Sequence, residues 1–96
     1  MIKVGSAYQE VFSFSQEQVE AFAKITGDNN PIHLNEEYAK KSIFKRRIIH
    51  GFLTGSIFSK VFGISFPGAG TIYLTQSMNF IRPMYSNETY TAFLKF

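Results

Sequence analysis

The sequence contains no cysteine, which excludes disulfides, thiol nucleophiles and thiolate zinc sites. No apolar run approaches the roughly 18 residues that a membrane-spanning helix needs. Residues 1–14 also lack the apolar core of a secretory signal peptide. We therefore expect a cytoplasmic protein that has no membrane partner.

Apolar and aromatic side chains are plentiful, at 45% and 17% of the residues. This composition and a length of 96 residues predict one globular domain over residues 1–96. A domain of this size buries only about 60% of the surface that its unfolded chain exposes, so its own core is small. We therefore expect it to share apolar surface with a second copy, as a homodimer or a higher oligomer.

Positive charge is concentrated in one segment. The formal net charge is +3, and five of the ten basic residues lie within residues 40–47. Three of them are consecutive, Lys45, Arg46 and Arg47. Such a cluster is either a solvated basic face or a binding site for phosphate groups. Nucleic-acid binders spread basic residues over a larger face with exposed aromatics, so we expect no nucleic-acid partner.

The period of the apolar residues changes along the chain and predicts an α+β domain. β-prone side chains predict a strand over residues 3–14, and alternating patterns predict strands over residues 71–82 and 89–96. Capping signals and helical spacing predict short helices over residues 16–25 and 35–42. Residues 49–62 predict a helix that is apolar almost all round, which is typical of a core helix. Three strands do not enclose such a helix, so it needs a wider curved sheet.

Asp28 and His33 are the polar pair that stands out, on either side of a turn that contains Pro31. Near pH 7 a carboxylate and a neutral imidazole both accept protons, so together they can polarise a water molecule. Alternatively, Asp28 is only a turn residue, and His33 is a partly buried histidine bonded to backbone. A metal triad of Asp28, His33 and His50 lacks the usual ligand spacings, so we expect no metal.

His50 and Gly51 lie near the start of the predicted core helix. Free amides and the helix dipole favour negative charge at such an end. Because Gly51 has no side chain, its amide is able to polarise a carbonyl oxygen in the manner of an oxyanion hole. The alternative is that the glycine serves close packing alone.

Two stretches carry a family resemblance: FAKITGDNNPIHLN over residues 22–35 and FKRRIIHGFL over residues 44–53. Together they resemble the signature of the MaoC-like hydratases, and especially of the (R)-specific enoyl-CoA hydratases. The resemblance continues through PGAGTIYL and FIRP, and so covers essentially the whole chain. It implies a hot-dog fold, an antiparallel sheet wrapped around a central apolar helix. We expect residues 1–96 to be C-terminally short of such a domain, without the last two of its five strands.

The resemblance also implies roles for individual residues. Asp28 and His33 hold and activate the water that adds to trans-2-enoyl-CoA, giving (R)-3-hydroxyacyl-CoA without a metal or redox cofactor. The Gly51 amide receives the thioester oxygen. The further residues that we expect to bind the substrate or shape the site are Asn30, His50 and Ser59. The resemblance assigns no role to Lys45, Arg46 and Arg47, which either contact the coenzyme A phosphates or form a solvated basic patch.

Two other functions stay open. The chain is alternatively a truncated, non-catalytic hot-dog segment that binds an acyl thioester or a partner chain. Thioester hydrolysis on the same fold is the second, but it would place an acid on the central helix. Residues 51–62 contain neither aspartate nor glutamate.

Overall fold

The computed structural model describes residues 2–96 and contains two strands and four helices within them. In chain order the elements are β1 (Ala7–Phe12), α1 (Gln16–Thr26), α2 (Pro31–Leu34), α3 (Glu36–Lys40), α4 (Gly51–Ile64) and β2 (Tyr90–Lys95).

The sheet pairs β1 with β2, which lie near opposite ends of the chain. The strands are antiparallel, with Ala7 opposite Lys95 at one end and Phe12 opposite Tyr90 at the other. Apolar residues of β2 face α4 and are removed from water, which stabilises the packing of sheet on helix. The buried residues of this cluster are Ile57, Val61, Ala92 and Leu94.

Helix α1 has the ends that its sequence predicts. The Gln18 amide donates to the Ser15 hydroxyl, and the Ser15 amide donates to the Gln18 side chain, which completes a capping box. Gly27 ends the helix with a φ of 79°, a left-handed conformation that glycine adopts without steric cost. Val19 and Ala23 form the buried face.

The sequence predicts only a turn around Pro31, whereas the structure forms helix α2 there. Proline lacks an amide hydrogen, but the first helical position needs none, and Pro31 begins the helix there. The Asn30 side chain caps this helix by accepting a hydrogen bond from the Ile32 amide at 3.2 Å. The turn at Asn30 therefore places His33 on a short helix.

Helix α4 begins at Gly51, two residues after the predicted start, and extends to Ile64. One face is buried, but Phe52 remains 66% exposed and Phe58 36% exposed. This exposure agrees with the expectation that the strands of this chain do not enclose the helix, because the described two-stranded sheet covers one side only. Neither α4 nor any other helix within residues 2–96 is long and apolar enough to span a bilayer.

The strand predicted over residues 71–82 is also not observed. Its residues alternate in polarity, yet they form no hydrogen-bonded ladder with any other part of residues 2–96. A strand is stabilised by cross-strand pairs, and sequence alternation alone supplies none. Leu74 is 92% exposed and Ile81 is 85% exposed as a result. Near its end this segment contacts α4, where Met78 and Phe80 lie against the two glycines of the first turns.

Candidate functional site

A cavity of about 630 Å³ lies at the N-terminal end of α4. We call it the histidine cavity, because His33 and His50 both line it. Asp28 and Gly51 also line it, while most of its remaining wall is apolar, including Phe22. A mostly apolar cavity with a few convergent polar groups is typical of a small-molecule site.

His33 is buried, and its hydrogen bonds fix its orientation. Its Nδ1 lies 2.8 Å from the carbonyl oxygen of Ile48. Because a carbonyl only accepts, Nδ1 carries the proton, and the neutral ring presents Nε2 as an acceptor. The Gln16 side chain donates to the backbone carbonyl of His33 at 2.9 Å and secures helix α2 from the other side.

Burial lowers the pKa of His33 below its ordinary value of 6.5, because desolvation penalises the charged ring. The hydrogen bond to Ile48 and the carboxylate of Asp28 oppose this shift, whereas His50 adds to it. The net direction is downward, so His33 is neutral near pH 7 and able to accept a proton.

Asp28 lies in the turn between α1 and α2, where its side chain is exposed. Its amide donates to the Thr26 hydroxyl at 3.2 Å, and one carboxylate oxygen faces the Asn30 amide at 3.5 Å. The turn brings the carboxylate to the two histidines: Asp28, His33 and His50 each offer one polar atom within 4.8 Å of the others.

This cluster is compact enough to share a water molecule or to hold a metal ion. The sequence spacing of the three residues gives no metal signal, because the fold and not the local chain brings them together. The expectation that the site works without a metal stays a prediction.

His50 precedes α4 and is only 2% exposed. Its ring lies 3.9 Å from that of His33 and 4.8 Å from that of Phe22, measured between centroids. Its Nε2 lies 3.1 Å from the carbonyl oxygen of Asp28 and must be the donor. The other ring nitrogen, Nδ1, is buried without a hydrogen-bond partner in the described part of the chain.

Gly51 is the first residue of α4, and its amide precedes the first hydrogen bonds of the helix. Those bonds run from Leu53 and Thr54 to the carbonyl of His50. Within residues 2–96 the Gly51 amide has no acceptor, so it is able to donate to a ligand oxygen in the cavity. The glycine also allows close packing, because a Cβ there would lie 2.9 Å from the Phe80 ring and the ring would have to shift.

Two other expected site residues do not line the histidine cavity. Asn30 caps α2 and does not line the histidine cavity. Ser59 is exposed and lines a separate depression of about 260 Å³ beside Ser56. The structure therefore does not bring Ser59 to Asp28 and His33.

The basic cluster is partly engaged within the protein. Arg46 forms an ion pair with Glu88, and its guanidinium lies 3.7 Å above the centre of the Tyr85 ring. Arg47 faces the carbonyl of Leu34 at 3.4 Å. Lys45 is exposed, with a φ of 66°. None of the three lines the histidine cavity.

Arg82 and Thr54 line both the histidine cavity and a second cavity of about 710 Å³. The sequence alone indicates no role for either residue. The second, the apolar cavity, lies between α4, β2 and residues 76–84, and Phe58 and Met78 contribute to its wall. The signal for Arg82 was its isolation, since it is the one charged residue between Lys60 and Glu88 in the sequence.

The chain is similar to known proteins in family and in fold. The MaoC-like domain family matches residues 4–95. An (R)-specific enoyl-CoA hydratase from Rhodospirillum rubrum is 40% identical over 91 residues, which is 95% of this chain. A mitochondrial 3-hydroxyacyl-[acyl-carrier-protein] dehydratase from Arabidopsis thaliana is 39% identical over 88 residues, or 92% of this chain.

The chain spans 63% of the length of the bacterial relative and 52% of the plant relative. Among solved structures, the (R)-hydratase of Aeromonas caviae involved in PHA biosynthesis superposes with a TM-score of 0.93 at 37% identity. That alignment covers 98% of this chain and 71% of the other. The predicted hot-dog fold is confirmed by this likeness.

Proposed function

Because the chain belongs to the MaoC-like domain family, we propose that it acts as a hydro-lyase on acyl thioesters. The proposed reaction adds water to a trans-2-enoyl-CoA and gives an (R)-3-hydroxyacyl-CoA. One observation carries the proposal: Asp28, His33 and the Gly51 amide line the same cavity. These three groups supply a water-activating pair and a donor for the thioester oxygen.

The proposed step conserves all atoms of the water. A water held between the Asp28 carboxylate and His33 Nε2 attacks C3 of the enoyl group, and the carbon–oxygen bond forms as the water loses a proton to the pair. The π electrons move toward the thioester oxygen, where the Gly51 amide stabilises the developing charge. The pair then returns the proton to C2 on the same face, which makes the addition syn.

The shape of the interior supports an acyl substrate. The histidine cavity and the apolar cavity share lining residues, among them Thr54 and Phe80. A thioester whose carbonyl lies at Gly51 is thus able to extend its alkyl chain between α4 and residues 76–84. The exposed Lys45 lies in the basic cluster where we place the phosphates of coenzyme A.

The test is to mix the protein with crotonyl-CoA and follow the loss of the conjugated enoyl absorbance. We expect the variants Asp28→Asn and His33→Ala to lose hydration by about 10²–10⁴-fold, the usual contribution of a positioned acid or base. Glu36→Gln makes the same carboxylate-to-amide change at the exposed start of α3 and is the control. Undiminished activity in both site variants would refute the mechanism.

Two further arms separate the rival reactions. A thiol reagent detects free coenzyme A, which a thioesterase releases and a hydratase does not. Dialysis against a chelator tests the proposal that no metal is needed. We expect no thiol release and unchanged hydration after dialysis.

A second candidate is a non-catalytic segment that binds a partner chain. The exposed, unpaired residues 71–82 favour it, because a backbone without ladder hydrogen bonds readily accepts another strand. Sizing of the purified chain separates the two candidates when combined with the hydration assay. An active homodimer supports the enzyme, whereas an inactive chain that gains mass only with a partner supports the binding segment.

A further inference from the structure

His50 connects the two halves of the site. It is 22 residues from Asp28 in sequence, yet its Nε2 donates to the Asp28 carbonyl oxygen at 3.1 Å. The next residue along the chain is Gly51, the first residue of α4. A single side chain thus connects the turn that carries the carboxylate with the helix end that carries the free amide.

The carboxylate turn has few other restraints. Asp28 is exposed, and its remaining hydrogen bonds join it to Thr26 and Asn30 within the same turn. None of these fixes the distance from the carboxylate to α4. Among the described hydrogen bonds of Asp28, the one from His50 sets the distance between the Asp28 turn and α4.

The His50 ring is itself held rigidly. It is 2% exposed and packs against the rings of Phe22 and His33, so its rotation is restricted and its Nε2 stays directed at the carbonyl. Its Nδ1 remains buried without a partner among residues 2–96. A buried acceptor without a hydrogen bond destabilises a fold, so a histidine at this position calls for an explanation by another interaction or by function.

We propose that His50 is a positioning residue, which through its Nε2–H holds the Asp28 turn at a fixed distance from the Gly51 amide. This role requires no contact of His50 with the water or the thioester. The inference rests on the proposed hydration, in which the water and the carbonyl oxygen must be held at once. Displacing a catalytic group by about 1 Å costs on the order of 10²-fold in rate, so such a restraint affects turnover strongly.

Two substitutions separate donation from packing. His50→Phe keeps an aromatic ring against Phe22 and His33 but removes the donor. His50→Gln removes the ring but keeps an amide donor near the position of Nε2. We expect kcat to fall by about 10–100-fold in the phenylalanine variant, with KM changed by less than about threefold. The glutamine variant should retain kcat within about tenfold of wild type, even where it melts at a lower temperature.

If His50 serves packing alone, the phenylalanine variant should keep a higher kcat than the glutamine variant. If the phenylalanine variant keeps wild-type kcat, or if kcat in both variants simply follows the folded fraction, the inference is overturned. Hydrogen exchange of the amides of residues 28–30 supplies a readout that needs no turnover. We expect faster exchange in His50→Phe than in His50→Gln.

The exchange result distinguishes the two proposals. Without hydration by the wild-type protein, faster exchange in His50→Phe still supports the restraint on the turn, and the proposed reaction alone fails. Equal exchange in the two variants overturns the positioning role whatever the wild-type activity is.

Direct evidence for the donor comes from ¹⁵N imidazole spectra, in which His50 should carry its proton on Nε2. A proton on Nδ1 would contradict the inference.

Discussion

Replacing His33 by asparagine or by alanine should separate the structural role of this residue from its chemical role. The asparagine amide nitrogen occupies nearly the position of Nδ1, so it retains a donor for the Ile48 carbonyl. Alanine retains none. Neither side chain places an acceptor at the position of Nε2.

The structure sets the expected magnitudes. The hydrogen bond to Ile48 is 2.8 Å long, and a bond of this kind contributes about 1 kcal/mol net. The contact with the His50 ring, at 3.9 Å between centroids, adds about 0.5–1.5 kcal/mol. We therefore expect His33→Ala to lower the free energy of unfolding by about 2 kcal/mol, and His33→Asn by about 1 kcal/mol. The difference of about 1 kcal/mol between the two variants corresponds to about 4–8 °C in melting temperature.

The assays are urea denaturation, calorimetric melting and hydration of crotonyl-CoA on the same preparations. Both variants should lose about 10²–10⁴-fold in hydration rate, although they differ in stability. Equal stability of the two variants would refute the assignment of Nδ1 as the donor to Ile48. Wild-type hydration by the more stable variant would refute the role of Nε2 as the proton acceptor.

Four further predictions concern stability. Because burial lowers the pKa of His33, the unfolded chain binds a proton more readily than the folded one, so the free energy of unfolding should fall as pH drops below 6.5 and level off below the folded pKa; urea midpoints from pH 8 to 5 check this, and His33→Asn should lack that component. Gly63→Ala should stabilise α4 by up to about 1 kcal/mol in thermal melts, because no atom lies within 4 Å of the added carbon. Gly51→Ala should give no such gain and should impair hydration, because its methyl group lies 2.9 Å from the Phe80 ring; equal melting gains in the two alanine variants would contradict this. Ser15→Ala should cost about 1 kcal/mol in urea unfolding and leave hydration unchanged, since the cap lies outside the cavity.

Local features of the fold were predictable from the sequence. The capping box at Ser15 and the left-handed Gly27 depend on neighbours within a few residues, and both are observed. The strand at residues 71–82 was predicted from alternation, which is also local, but a ladder needs a partner that alternation does not supply. Helix α2 was missed because Pro31 is compatible with a helix start as well as a helix stop.

The site was predictable in part for the same reason. Asp28 and His33 lie five residues apart around one turn, so sequence proximity already placed them together. The bond from His50 to the Asp28 carbonyl was not predictable, because its acceptor is a backbone atom that has no residue-specific signature. Arg46 shows the same limit, since its partners Glu88 and Tyr85 come from a distant part of the chain.

The pairing of β1 with β2 has a consequence for how this chain folds. Ala7 lies opposite Lys95, so the ladder closes a loop that contains nearly all of the 96 residues. Closing a loop of about 80 residues costs roughly 4 kcal/mol of chain entropy, none of which is offset until the first cross-strand contacts form. The helices consist of local contacts and are free to form earlier. The sheet should therefore be the last element to assemble, and folding should be slower than the short helices alone would allow.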